Sequence, residues 1–346
     1  MPEERIVSAD PIEDDGQFDV TLRPRRLDDF IGQTKLKDIL GIAIEAARGR
    51  GEALDHVLLY GPPGLGKTTL ATIIANELDV KIDYTAGPVL QKKLDLTGAL
   101  TTLDERQVFF IDEIHRLLAD VEEMTYSALE DFRVDVLIGS GPGARTHSIQ
   151  IPPFTAIGAT TRAGLISAPL RGRFGITLRL NPYDVPELTG IVYRSARLLG
   201  VEIDDAGAEE IAKRSRGTPR VANRLLRRVR DYTQVRADGA ISRDIAQTAL
   251  DMFEVDPLGL DDIDQKLMET ILIKYTGGPV GLNTIAASIG EDSSTIEEVY
   301  EPYLMQLGFL DRTPRGRVGT PMAFEYFKVQ RTAMMGGQVP IRYESA

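Results

Sequence analysis

The sequence holds no cysteine, which excludes a disulfide framework and any cysteine-based zinc site. That absence fits a reducing, cytoplasmic setting. Histidine is scarce too: only His56, His115 and His147 occur, and none stands at metal-ligand spacing from another. No run of about eighteen or more apolar residues is present, so no segment is expected to span a membrane. Positive charge is also short, with 40 Lys and Arg against 52 Asp and Glu and a net charge of −12. A surface coated for nucleic acid is thereby excluded, and any contact with DNA must come from a local basic patch. The opening MPEERIVSADPIEDDGQFD is acidic and polar, and reads as a flexible arm over residues 1–20 rather than a signal peptide.

What is present is ordinary globular chain: 346 residues, 42% hydrophobic and 27% charged, enough for two or three domains. HVLLYG, QVFFIDE and TAIGATT read as buried strands, and KTTLATIIANEL as the helix after the first. This alternation predicts an α/β domain with a mostly parallel sheet over 21–183. After NPYDVPE the pattern turns helical with no intervening strand, predicting a small all-helical domain over 184–255. From 256 to 346, three helices precede an apolar strand and a Pro/Gly/Arg turn, the pattern of a winged helix-turn-helix.

GPPGLGKT, Gly61 to Thr68, matches G-x-x-x-x-G-K-[ST] and lies between a predicted strand and helix. Gly64 and Gly66 let backbone N–H groups curl around phosphates, Lys67 reaches the β- and γ-phosphates, and the Thr68 hydroxyl is placed for Mg²⁺. The ligand is therefore expected to be ATP with Mg²⁺. The strand VFFI delivers Asp112 and Glu113 at its end. Asp112 is expected to hold Mg²⁺ through water, and Glu113 to deprotonate the attacking water. A kinase with this loop needs no such glutamate; a motor that hydrolyses ATP does. His115 beside the pair reads as a structural donor. TAIGATT ends in Thr160 and Thr161, and a hydroxyl there, Thr161 as the catalytic candidate, can address the γ-phosphate or the water. Arg220 in GTPR opens a helix of the small domain and can lean over the phosphates.

Together these features resemble the AAA+ ATPases. LRPRRLDDFIGQ, GPPGLGKTTLA, FIDEIHRL, GATTRAG, LRGRFGI, GTPRVANRLLRR and RTPRGR, in that order, resemble more closely the RuvB family of bacterial Holliday-junction branch-migration ATPases. The similarity runs from about Leu22 to Thr320. It implies an AAA+ core, a helical lid and a winged-helix head, working as a homohexamer that pulls duplex DNA. It implies that Leu22, Arg23 and Tyr183 border the base and sugar, and that Gly64, Lys67, Thr68 and Thr69 bind phosphates and Mg²⁺. Glu130, Asp131 and Phe132 fall beside the nucleotide region, and Arg220 is the lid sensor. Arg173 is the finger that acts on a neighbouring subunit's nucleotide. Arg171, two residues away, cannot be aimed alike, and Gly172 stands where a polar residue is expected. The hairpin over 132–152 would dock RuvA, with Val134, Val136, Leu137 and Ile138 as its exposed apolar residues. RuvC is the expected partner in the larger complex.

The would-be recognition helix, STIEEVYEPYLMQ, carries three glutamates and no Lys or Arg, so it cannot lie in a major groove. The turn after it holds Arg312, Arg315 and Arg317, and family resemblance places DNA contact on Arg312 and Arg317. Phosphate contacts without sequence reading are expected. A clamp-loader-like switch is the alternative, but the S-R-C arginine motif and zinc cysteines common in that class are missing. A nucleotide-gated DNA regulator is disfavoured by the acidic helix and by the lack of a GAFTGA loop.

Overall fold

The computed structural model describes residue 7 and residues 21–138, 145–237 and 239–329. The arm over 1–20, apart from residue 7, the hairpin tip and the C-terminal tail lie outside the described residues. So do the side chains of Leu137 and Ile138. The chain divides into two compact units: one holds 21–191 with 218–220, the other 192–217 with 221–329.

The first unit is built on a five-stranded parallel sheet. Its strands are β1 (Val57–Tyr60), β2 (Ile82–Ala86), β3 (Val108–Asp112), β6 (Thr155–Thr160) and β7 (Ile176–Arg179), ordered β2-β3-β6-β1-β7. The inner strands β1, β3 and β6 are buried along nearly their whole length, which is why they read as unbroken apolar runs. β2 and β7 were not expected as strands. Both lie at sheet edges and carry exposed residues, so they lack that signature.

The hairpin of β4 (Arg133–Ile138) and β5 (Arg145–Gln150) is antiparallel and forms a separate two-stranded sheet. One expectation about it fails. Val134 is fully buried, because at the hairpin base it joins the core of Leu129, Ile151 and Phe154. Val136 is half-buried.

In the second unit, helices Asp205–Lys213, Pro219–Arg236 and Arg243–Met252 form most of the small domain. It is not all-helical: β8 (Glu202–Ile203) and β9 (Ala240–Ile241) make a two-residue parallel pair. Such a pair is too short to carry a period-2 pattern. The winged domain follows with helices Asp262–Glu269 and Leu282–Ile289 and a third helical stretch over 293–306. That third stretch passes through a π turn at Ile296–Tyr300 just before Pro302, whose missing N–H interrupts the regular bonding. β10 (Leu310–Thr313) and β11 (Gly316–Gly319) are the wing.

Two buried arginines lie at the end of the small domain; Arg214 is held within it, and Arg216 reaches across to the winged domain. Arg214 bonds Glu210, Asp251 (2.6 Å) and the Val255 carbonyl. Arg216 donates to Asp264 and to the Gly259 carbonyl, and its guanidinium lies 4.9 Å from the Tyr303 ring centre. Among the described residues no helix is long and apolar enough to cross a membrane.

His56 pins the first unit beside the hairpin. Its Nδ1 accepts from the Ala156 N–H (3.0 Å), so Nε2 carries the proton and donates to the Leu129 carbonyl (2.9 Å). Burial pushes its pKa below the usual value, against a smaller opposing effect of the Leu129 bond and Asp55. A depressed histidine pKa means the unfolded chain binds the extra proton first, so stability falls as pH drops below about 6.5. The melting temperature should therefore decline between about pH 7.5 and 5.5, and His56→Gln, already less stable at the higher pH, should decline less.

Candidate nucleotide site and the arginine wing

β1 ends at Tyr60 and hands the chain to a loop that enters helix Lys67–Leu78. Gly64 and Gly66 take φ values of +74° and +102°, conformations that other residues rarely adopt. Lys67 is 8% exposed, and its ammonium donates to the Gly61 and Pro62 carbonyls at 2.8 Å each. The amine is thereby held across its own loop. Thr68 and Thr69 occupy the first helical turn, which contains no acidic residue to cancel the positive helix end. Tyr183 is buried and donates its hydroxyl to the Leu65 carbonyl within the loop (3.3 Å). Burial raises its pKa, so it stays a neutral donor. Leu22 is buried and Arg23 half-buried. Arg220 groups with this unit rather than with most of its own domain.

β6 lies between β1 and β3, so the loop after β1 and the carboxylates after β3 flank the end of β6. The Asp112 carboxylate accepts from the Glu113 N–H (2.9 Å). Glu113 sits at φ +46°, ψ +43°, a left-handed conformation that costs a non-glycine residue about 1–3 kcal/mol. Its carbonyl oxygen lies where a β-carbon on Gly87 would come within 2.5 Å, so Gly87 admits no side chain without a shift. The Glu113 carboxylate pairs with Arg116 at 2.8 Å, both half-exposed. Such a pair is weak and easily exchanged.

The two threonines separate. Thr160 is 1% exposed; its hydroxyl oxygen accepts from the Arg162 N–H (2.9 Å), and the hydroxyl shares a hydrogen bond with His115 Nδ1 (3.0 Å). Desolvation is the main cause lowering the His115 pKa, Glu113 opposes it, and Arg162 adds to it, so the ring is neutral at pH 7. Thr161 is exposed at the strand end.

The arginine loop also resolves. Ser167 caps the short helix Ala168–Arg171, accepting from the Leu170 N–H (3.2 Å). Gly172 has ordinary helical φ, and a side chain there would meet only carbonyls at 3.5 Å or more. The missing polar residue therefore leaves no strain. Arg171 is exposed, whereas Arg173 pairs with Glu130 at 2.7 Å and stacks on Tyr126 at 5.7 Å. Its Nε is buried without a hydrogen-bond partner. Tyr126 is fixed in turn through Glu122 (2.6 Å), which also accepts from Ser167. The structure thus brings Glu130 to Arg173. Asp131 is exposed and Phe132 packs edge-on against His56. Tyr126 and Arg116 were not foreseen; only the Glu113–Arg116 spacing of three offered a signal.

In the wing, Arg312 and Arg317 are direct cross-strand partners and Arg315 is exposed in the turn between them. Both paired arginines reach back to Glu301, which is completely buried: Arg312 Nε and Arg317 Nε each donate to it at 2.7 Å. Glu297, half-exposed, lies 3.3 Å from Arg312 and 3.6 Å from Arg317. Two of the three glutamates in the would-be recognition helix, Glu297 and Glu301, are thus the seat of the wing arginines.

Three family profiles cover nearly the whole described chain. They are the Holliday junction DNA helicase RuvB P-loop domain over residues 22–180, the RuvB AAA lid domain over 183–256 and the RuvB C-terminal winged helix domain over 257–328. The Holliday junction branch migration complex subunit RuvB of Solibacter usitatus is 71% identical over 336 residues, 97% of this chain and 98% of that protein. The Koribacter versatilis subunit is 63% identical, covering 94% and 91%. The Thermotoga maritima RuvB Holliday junction branch migration motor superposes with a TM-score of 0.80 at 55% identity, covering 89% of this chain and 98% of that one. An Aeropyrum pernix ORC2 structure, at 17% identity and a TM-score of 0.52, shares the fold alone.

Replacing Glu113 by Gln should leave ATP binding intact and lower turnover by about 10²–10⁴-fold, the range of general-base contributions. Nucleotide affinity by fluorescence titration beside steady-state phosphate release checks this, and turnover at the wild-type rate contradicts the base assignment.

Proposed function

Since the chain belongs to the RuvB family, we propose that it is the ATP-driven motor of Holliday junction branch migration, hydrolysing ATP to pull duplex DNA during recombination and repair. The observation that carries this reading is the buried Lys67 in its loop, one strand removed from Asp112 and Glu113 at the end of β3.

The chemistry follows from the groups around that strand end. Lys67 exchanges its two carbonyl partners for the β- and γ-phosphates. Glu113 releases Arg116 and takes a proton from water. The water oxygen bonds to the γ-phosphorus as the bond to the bridging oxygen breaks, leaving ADP and phosphate. Thr160 and Thr161 bring hydroxyls to the same edge, of which Thr161 is the exposed one. The Thr68 hydroxyl and the Asp112 carboxylate are hard oxygen donors that suit Mg²⁺, with Asp112 acting through water. When bound, that ion neutralises charge on the phosphate oxygens. Leu22, Arg23 and Tyr183 border the base and sugar, and Arg220 senses the nucleotide from the lid.

Arg173 acts in trans. Its loop precedes the edge strand β7, and an edge is where a neighbouring subunit can be reached. The guanidinium leaves Glu130 for the neighbour's γ-phosphate, with Glu130, Asp131 and Phe132 beside it. Six subunits close the ring, and the hairpin over 132–152 docks RuvA. Duplex runs past the wings, held at phosphates by Arg312, Arg315 and Arg317 without sequence reading, and RuvC joins the larger complex. The setting is the cytoplasm.

Mixing is the test of the finger. Arg173→Ala and Lys67→Ala subunits, each inactive alone, should regain ATPase in mixed rings, since one supplies the finger and the other the nucleotide site. No recovery in verified mixed rings returns Arg173 to ordinary surface. For the function as a whole, ATPase on nonspecific duplex should rise when RuvA and a four-way junction are supplied together. An unchanged rate sinks the motor reading.

A further inference from the structure

Two like charges placed directly across a hairpin repel, and Arg312 faces Arg317 in the β10–β11 register. What permits this is a carboxylate that is fully buried beneath them. Glu301 takes Arg317 Nε on one oxygen (2.7 Å) and Arg312 Nε and Nη2 on the other (2.7 and 2.6 Å). Arg317 Nη2 also reaches that second oxygen at 3.3 Å. Glu297, one turn earlier, meets the same two guanidiniums from the solvent side at 3.3 and 3.6 Å, and its backbone carbonyl accepts from Arg312 at 3.1 Å. The Glu297 side chain is 47% exposed; that of Glu301 is 0%. Two guanidiniums and two carboxylates leave the cluster with no net charge.

We propose that these two glutamates have opposite effects on DNA binding: Glu301 is a positioning residue that aims Arg312 and Arg317 at phosphate, and Glu297 is a displaceable counter-ion that weakens their grip. A buried carboxylate holding two arginines through both its oxygens cannot be reached by a phosphate, so it fixes direction. A half-exposed carboxylate at longer range is what an incoming phosphate replaces. Each engaged wing then carries one positive charge beyond its buried partner, and competition from Glu297 keeps that grip light enough to release, as a translocating protein requires. This rests on the reading that Arg312 and Arg317 contact DNA.

The experiment uses the full-length protein on a nonspecific duplex, with affinity measured across a salt series. Glu297→Gln should tighten binding about two- to fivefold per engaged subunit, the size of a partly exposed ion pair. Glu301→Gln should weaken it and reduce the salt slope by about 1, as losing an aimed phosphate contact does. Unchanged or weaker binding by Glu297→Gln overturns the counter-ion role. Binding by Glu301→Gln equal to or tighter than wild type overturns the positioning role. If a melting curve shows that Glu301→Gln has lost its fold, Glu297→Gln, on an exposed side chain, decides alone. Arg312→Ala with Arg317→Ala separates the two levels: unchanged duplex affinity there removes the DNA reading itself.

Discussion

The pairing of arginine with carboxylate is the interaction on which the rest of this structure depends. Arg173 rests on Glu130, Arg312 and Arg317 on Glu301, Arg214 on Glu210 and Asp251, and Arg216 on Asp264. A guanidinium on a flexible stem has several rotamers to lose, and a bidentate or shared carboxylate fixes one of them before any ligand arrives. The net charge of −12 has its meaning here. Part of the acidic excess is used within the molecule, as partners that hold these arginines in place.

The parallel sheet supplies the second constraint. Strands running the same way present all their C-terminal ends on one side, so a glycine loop after β1 and a carboxylate pair after β3 meet without any loop having to bend far. At the end of β3 the backbone is strained at Glu113. Glu113 takes a left-handed backbone, and Gly87 leaves room for its carbonyl. A residue held in such a conformation is fixed by its surroundings, so the direction of the Glu113 side chain does not depend on its half-exposed Arg116 partner alone.

The three-part architecture and the phosphate loop were legible in the sequence because they are local patterns: a strand, a fixed spacing, a helix. Asp112 and Glu113 were legible for the same reason, at the end of a fully apolar run. β2 and β7 were not, since an edge strand half in solvent shows no such run. The short β8–β9 pair left no pattern at all. Val134 was misread as exposed because its burial comes from Phe154 and Ile151, far along the chain. The seats of the key arginines escaped for that reason too. Glu130 lies 43 positions before Arg173, and Glu301 meets Arg312 and Arg317 only because the wing folds back over its helix. Side-chain partners across such distances are set by tertiary packing, on which periodicity is silent.

The buried Arg216 bears on how winged domains can be joined to such a protein. Winged domains are commonly thought of as portable modules, exchanged between chains at a linker. Here the seam holds the buried Arg216–Asp264 pair, and removing one partner of a buried pair costs about 3–5 kcal/mol. A foreign winged domain spliced after Val255 would arrive without Asp264 and the Gly259 carbonyl, two of the groups that hold the Arg216 guanidinium. The lid and the head are therefore better exchanged together than divided at Val255.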